Sequence, residues 1–169
     1  AQLNKYRNLA KITDIKNKDK VLEIGCGWGG FSCFLAKNFS ADVTAITISK
    51  KQYEKVKEKV YKEKLTEKVN VKLTDYREIK GLYDKIVSIE MFEAVGEKYW
   101  SKYFDVLGSN LKHNGAIGLQ TITIEDKFFK KYRKFPDFIQ TYIFPGGMLP
   151  SIEEMSKVLK SKGLTIEKK

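Results

Sequence analysis

Apolar residues in this chain fall into short runs, separated by stretches in which they recur every three or four positions. The runs are KVLEIG (20–25), DVTAITI (42–48), NVKLT (70–74), DKIVSIE (84–90) and AIGLQTITI (116–124), and several lack polar alternation. Runs of that kind predict strands of a sheet covered on both faces. The periodic stretches predict helices over about 29–38, 50–64 and 97–111, one at 3–14 before the first strand and one at 151–162 beyond the last. Strands and helices alternate, so the expected fold class is α/β with a doubly wound sheet. Ser151 and Glu154 form an S-x-x-E capping box after Pro150, which starts the last helix, and Gly163 ends it. The segment 125–150, EDKFFKKYRKFPDFIQTYIFPGGMLP, is too long for a plain connection and rich in aromatics. It is expected to be an ordered excursion over the binding edge of the sheet.

With 169 residues, 42% of them hydrophobic, the chain is expected to form one domain over 1–169. It holds no apolar run of about 18 residues, and AQLNKYRNLAKI at its start is not a signal peptide, so the cytoplasm is the default location. The net charge of +11 raises nucleic acid and anionic membranes as partners. Nearly all of it is lysine, Arg7, Arg77 and Arg133 being the only arginines, which argues against nucleic acid and leaves a membrane surface open. Much of the lysine lies in stretches such as KKQYEKVKEKVYKEK, whose Glu/Lys spacing marks a solvated helix face. Cys26 and Cys33 match neither a CxxC redox pair nor a zinc set and read as reduced thiols. The single histidine, His113 in KHNG, reads as a solvated residue beside a helix-ending Asn-Gly, and no metal site is expected.

Candidate chemistry centres on VLEIGCGWGG, where Gly25, Gly27 and Gly30 have the spacing G-x-G-x-x-G at the end of the first strand. A dinucleotide site would add an acidic residue at the end of the second strand. That strand ends in Ile46-Thr47-Ile48-Ser49, which counts against NAD. Glu23 lies inside the first strand in a position that should be buried, where a carboxylate is costly unless paired. A cationic amino group would pair it; capping of the glycine turn's backbone is the other reading.

These residues carry a family resemblance. VLEIGCGWGGF resembles the first motif of class I S-adenosylmethionine-dependent methyltransferases with their Rossmann-like sheet. AITISKKQ (45–52), TDYREI (74–79), DKIVSIEMFEAVG (84–96), LQTI (119–122) and DFIQTYIFPGGMLPS (137–151) resemble the cyclopropane fatty acid synthase branch, across essentially the whole chain. Plant coclaurine-type N-methyltransferases share a related pattern. The resemblance implies S-adenosylmethionine as cofactor, with Glu23, Gly25 and Gly27 at its methionine end. Thr47, Ile48, Ser49 and Gln52 would embrace the ribose and adenosine, Tyr76 and Arg77 would flank the adenine, and Ile89 would close the pocket. Thr47 and Ser49 equally suit an N-cap on the helix from Lys50.

The reaction implied is methyl transfer to the double bond of an unsaturated phospholipid acyl chain, giving a cyclopropane or a methyl or methylene branch. Such chemistry asks for a dry apolar pocket, for which Phe92, Tyr142 and Phe144 are candidate walls or core residues. Glu93 matches the family glutamate that helps hold a bicarbonate ion acting as base, with Glu90 ranked below it. Gln120 and Ile122 match the fifth-strand motif. Ala94 and Gln120 stand where histidine is frequent in the family, and Gln120 cannot shuttle a proton. The family's N-terminal segment with its cysteine and its C-terminal extension with its tyrosine do not map here. The sheet is therefore expected to be incomplete: the seventh strand is missing, Leu164 to Lys169 form an edge strand, and the fifth-strand edge is exposed unless another copy covers it. The location implied is the cytoplasm, peripheral to the inner face of the membrane. The rival readings are a small-molecule amine N-methyltransferase, a catalytically silent module binding membrane or a partner chain and, more weakly, a nucleic-acid methyltransferase.

Overall fold

The structure is a computed structural model and describes residues 1–167. It divides into two compact units, Ala1–Ile89 with Ser109–Leu119, and Glu90–Gly108 with the residues from Gln120 on.

The first unit holds α1 (Gln2–Ile12), β1 (Lys20–Ile24), α2 (Gly30–Phe39), β2 (Asp42–Thr47), α3 (Lys50–Lys62), β3 (Val69–Leu73), β4 (Tyr83–Ile89) and most of β5 (Leu111–Gln120). The sheet order is β3-β2-β1-β4-β5, with β1 parallel to β2 and β4, and β2 parallel to β3. Strand order reverses between β1 and β4, the point at which open α/β sheets bind ligands. Val21 to Ile24 are all buried, so β1 is covered on both faces, as its unbroken apolar run requires. Val21, Leu35, Val43, Ala45, Val56 and Val87 belong to one core cluster. Helix α3 turns Val56 and Val60 inward and pairs Lys55 and Lys62 with Glu58 on its wet side, an ordinary solvated face.

Strand β5 starts five residues before the expected Ala116. Helix α4 (Trp100–Asn110) has already ended, and His113-Asn114-Gly115 lie inside the strand. Asn114 takes φ +62°, so the Asn-Gly that resembles a helix stop is a left-handed kink in a strand, a conformation asparagine tolerates. His113 is exposed. β5 is the last strand of the sheet among the described residues, with an unpaired edge.

The second unit is held by aromatic packing. Phe92 is fully buried, with the rings of Trp100, Tyr103 and Phe104 at 5.2–5.3 Å. Phe129 of α5 (Asp126–Lys134) lies 6.2 Å from Trp100. Phe92 is thus a core residue and not a pocket wall, whereas Tyr142 and Phe144 are exposed. Segment 125–150 is ordered around α5 and a π-helical turn at Ile139–Ile143. In α6 (Ile152–Ser161), Ser151 Oγ accepts from Glu154 N, confirming the cap. At its other end Gly163 has φ +70° while Leu164 N donates to Leu159 O, a Schellman stop. The expected edge strand at 164–169 is not formed over 164–167, because a strand exists only through its pairing and these residues join no ladder; Lys168 and Lys169 lie outside the described residues. No helix among the described residues is long and apolar enough to cross a membrane.

Candidate functional site

In the first unit the carboxyl ends of four strands are tied together. Gly25 N and Cys26 N donate to Ile46 O at 3.0 and 2.9 Å, and Thr74 N donates to Thr47 O at 3.0 Å. Ser88 Oγ donates to Ile24 O at 3.0 Å. The glycine turn therefore hangs on the end of β2 and not on β1 alone, which gathers Gly25, Gly27, Thr47, Ile48, Ser49 and Gln52 at one place. Gly27 has φ +53° with open space where a Cβ would stand, so the turn offers bare backbone outward. Gly30 serves a different end: a Cβ there would strike the Tyr6 hydroxyl of α1, so the third glycine lets two helices meet. Helix α2 starts from Gly29 in the left-handed region with no side-chain cap, which leaves its first N–H groups to backbone, water or ligand.

Glu23 sits beneath this turn, 2% exposed. Within the chain its partner is a hydroxyl, Ser32 Oγ donating to Glu23 Oε2. Loss of hydration pushes its pKa from 4.5 up to about 8, a rise that the Ser32 hydrogen bonds only partly offset. Glu23 is therefore protonated over much of the neutral range. Nothing in the sequence pattern near Glu23 points to Ser32, nine positions on and across the turn. Cys26 and Cys33 are buried free thiols, pushed up to about 12 and about 11, each chiefly by desolvation.

At the end of β2 the polar residues bind one another. Thr47 Oγ1 donates to Gln52 Oε1 at 2.7 Å and accepts from Ser49 N at 3.1 Å, while Ser49 Oγ caps Gln52 N at 3.4 Å. The N-cap reading of Ser49 holds, and Gln52 has its amide oxygen committed, so a ligand would meet its N–H donors. Ile48 is exposed and Ile89, the last residue of β4, is half-buried. Beyond β3, Asp75 Oδ1 caps the 3₁₀ turn Tyr76–Glu78 through Arg77 N at 2.8 Å. Asp75 also holds the Arg77 guanidinium at 2.9 and 2.7 Å, contacts that keep its pKa below the usual carboxylate range. Sequence reasoning named Tyr76 and Arg77 and missed Asp75, which caps their turn and holds Arg77; an Asp at the start of a short turn just beyond a strand is the signal that could have found it.

The second unit brings Glu90, Glu93, Gln120 and Ile122 together. Glu90 has φ +52°, a strained backbone for glutamate, held by Glu90 N donating to Gln120 O at 2.8 Å. Gln120 Nε2 donates to Glu90 Oε1 at 3.3 Å. Glu93 Oε1 accepts from Ile122 N at 2.6 Å, and Met148 N donates to Glu93 O at 2.8 Å. Glu93 is thus anchored from two sides while its Oε2, like Gln120 Oε1, is buried with no partner. Two buried acceptors without donors are costly for a protein alone and suit a ligand or transition state that brings a proton. Ile122 contributes its backbone N–H, and its side chain is exposed.

A family model described as mycolic acid cyclopropane synthetase matches residues 1–169. A tuberculostearic acid methyltransferase of Mycobacterium tuberculosis is 36% identical over 153 residues, covering 90% of this chain and 36% of that protein. A cyclopropane-fatty-acyl-phospholipid synthase of Escherichia coli is 37% identical over 157 residues, covering 93% and 39% respectively. A crystal structure of a mycolic acid cyclopropane synthase complexed with SAH and CTAB superposes with a TM-score of 0.89 at 28% identity, covering 99% of this chain and 62% of that one. The chain thus spans well under half the length of these two curated relatives.

Proposed function

This chain belongs to the mycolic acid cyclopropane synthetase family, and from that premise we propose that it binds S-adenosylmethionine and transfers its methyl group to the double bond of unsaturated phospholipid acyl chains. The observation that carries the reading is the family match over residues 1–169, with relatives named for fatty-acyl and phospholipid chemistry at 36% and 37% identity.

The residues of the first unit fit this cofactor. The outward backbone at Gly27, the uncapped start of α2 and the donors of Gln52 suit the polar ends of an adenosyl amino acid, and exposed Ile48 suits the face of its base. The absence of a carboxylate at the end of β2 still counts against NAD. Glu23, bonded to Ser32, shapes the turn from below, and we assign Tyr76 and Ile89 to the rest of the cradle. When bound, S-adenosylmethionine supplies a methyl group that leaves sulfur as the π electron pair of the alkene takes it.

The substrate is then a carbocation, a strong acid, and the work left to the chain is to take its proton. Glu93 is the group we assign: Ile122 N and Met148 N fix it, and its free Oε2 is the acceptor. The C–H pair released by that transfer closes the ring when the proton comes from the added methyl, and leaves a branch when it comes from the acyl chain. A bicarbonate ion held here would meet the second amide N–H of Gln120, the first serving Glu90, and would give its own O–H to Glu93 Oε2.

The test is incubation of the chain with deuterated-methyl S-adenosylmethionine and dispersed monounsaturated phosphatidylethanolamine, read by mass spectrometry. The reading expects acyl chains one carbon heavier that carry the label. Label appearing only in added small amines would replace it with amine N-methylation.

A further inference from the structure

The second unit carries an exposed surface that the methyl-transfer reading does not use. On α5, Phe129 packs inward on Trp100 and Tyr132 Oη accepts from Leu149 N, so that side of the helix is anchored. Its other positions, Phe128, Lys130, Lys131, Lys134 and the C-cap Phe135, are exposed. The turn that follows exposes Phe138, Ile139, Tyr142 and Ile143, with Phe138 67% and Tyr142 71% exposed. Asp137 caps this turn through Gln140 N at 2.8 Å, which holds the apolar side chains on an ordered frame. Arg133 is paired with Glu97 and Lys127 with Glu125, whereas Lys130, Lys131 and Lys134 make no ion pair among the described residues.

Exposed large apolar side chains in one short segment mark an interaction surface, and the basic residues around them choose the partner. Protein–protein interfaces are depleted in lysine, and here lysine outnumbers arginine four to one over 127–134. Aromatic and aliphatic tips interleaved with lysines, whose stems can lie along an apolar boundary while the ammonium reaches outward, fit a bilayer interface. We propose that α5 and the turn at 138–143 form a docking surface for anionic lipid bilayers, with the apolar tips entering the headgroup layer and Lys130, Lys131 and Lys134 bound to lipid phosphates. The proposal rests on the lipid reading above and adds the element and the headgroup charge through which the chain meets its substrate.

Flotation with vesicles, without methyl donor, tests it. The chain should bind phosphatidylcholine vesicles containing about 30% phosphatidylglycerol far better than phosphatidylcholine alone, and lose that preference in about 0.5 M salt. Each lysine near such a surface adds about fivefold, so K130Q/K131Q/K134Q should bind roughly a hundredfold more weakly. The charge-matched K51Q/K55Q/K59Q on α3 should change binding by less than about threefold. F135S/F138S should lose binding while keeping the far-ultraviolet spectrum of a folded chain. The proposal is overturned by no vesicle binding, by equal effects of the two lysine triples, by indifference to F135S/F138S, or by a dimer that F135S/F138S dissociates, which would make the surface a self-interface. Vesicle binding without methylated lipid would sink the reading and spare the surface; methylation of detergent-dispersed lipid without vesicle binding would do the reverse.

Discussion

Replacing Glu23 by glutamine should flatten the pH dependence of stability. Burial raises the pKa of Glu23 to about 8 in the folded protein from 4.5. Between those values the unfolded chain has released a proton that the folded chain keeps, so stability is greatest below the unfolded pKa and falls as pH rises toward the folded one. Integrated from about pH 5 to about pH 7.5, that linkage removes about 3 kcal/mol. Both thiols titrate far above this window. Glutamine keeps the acceptor that Ser32 Oγ needs and cannot ionise. Urea unfolding followed by circular dichroism at several pH values should show wild type losing about 3 kcal/mol more than E23Q across the window. Parallel profiles, within about 1 kcal/mol, would refute the claim that Glu23 is buried and mainly uncharged.

Three further outcomes follow from the packing and the chemistry. Gly30→Ala drives a methyl group into the Tyr6 hydroxyl and should cost about 1–3 kcal/mol in urea unfolding, with part recovered in the double variant with Tyr6→Phe; a neutral single variant would contradict the contact. Cys26 and Cys33 should resist a thiol reagent near pH 7.5 until the chain is unfolded, and rapid labelling of the native protein would contradict their burial and raised pKa values. Glu93→Gln should lower the rate of lipid methylation by about 10²–10⁴ with little change in the melting temperature, since the amide oxygen can still accept from Ile122 N. A normal rate would remove Glu93 as the proton acceptor.

The fold was legible where one physical cause dominates. Apolar runs marked β1, β2 and β4, because strands buried on both faces over most of their length have little polar side to show, whereas β3, VNVKL at the sheet edge, alternates. The start of β5 was hidden because Asn114-Gly115 has the same left-handed preference in a strand kink as at a helix stop. The aromatics show a similar limit. Phe92 is buried among three rings while Phe135 and Phe138 face solvent, and composition cannot sort them because the turns at 92–99 and 135–144 have no fixed period. At the glycine turn the sequence marked the loop and the odd burial of Glu23. Its partner, Ser32, lay beyond reach because the turn's three-dimensional path brings them together. Glu93 was legible through family likeness; its fixation by Ile122 N and its unpartnered oxygen are products of folding.

The central claim is that the turn at Gly25–Gly30 holds S-adenosylmethionine, and calorimetric titration of the chain with that ligand, with NADH as control, tests it most directly. The account predicts saturable binding of S-adenosylmethionine, weakened by Gly27→Val, and none of NADH. Binding of NADH alone, or of neither ligand, would contradict it.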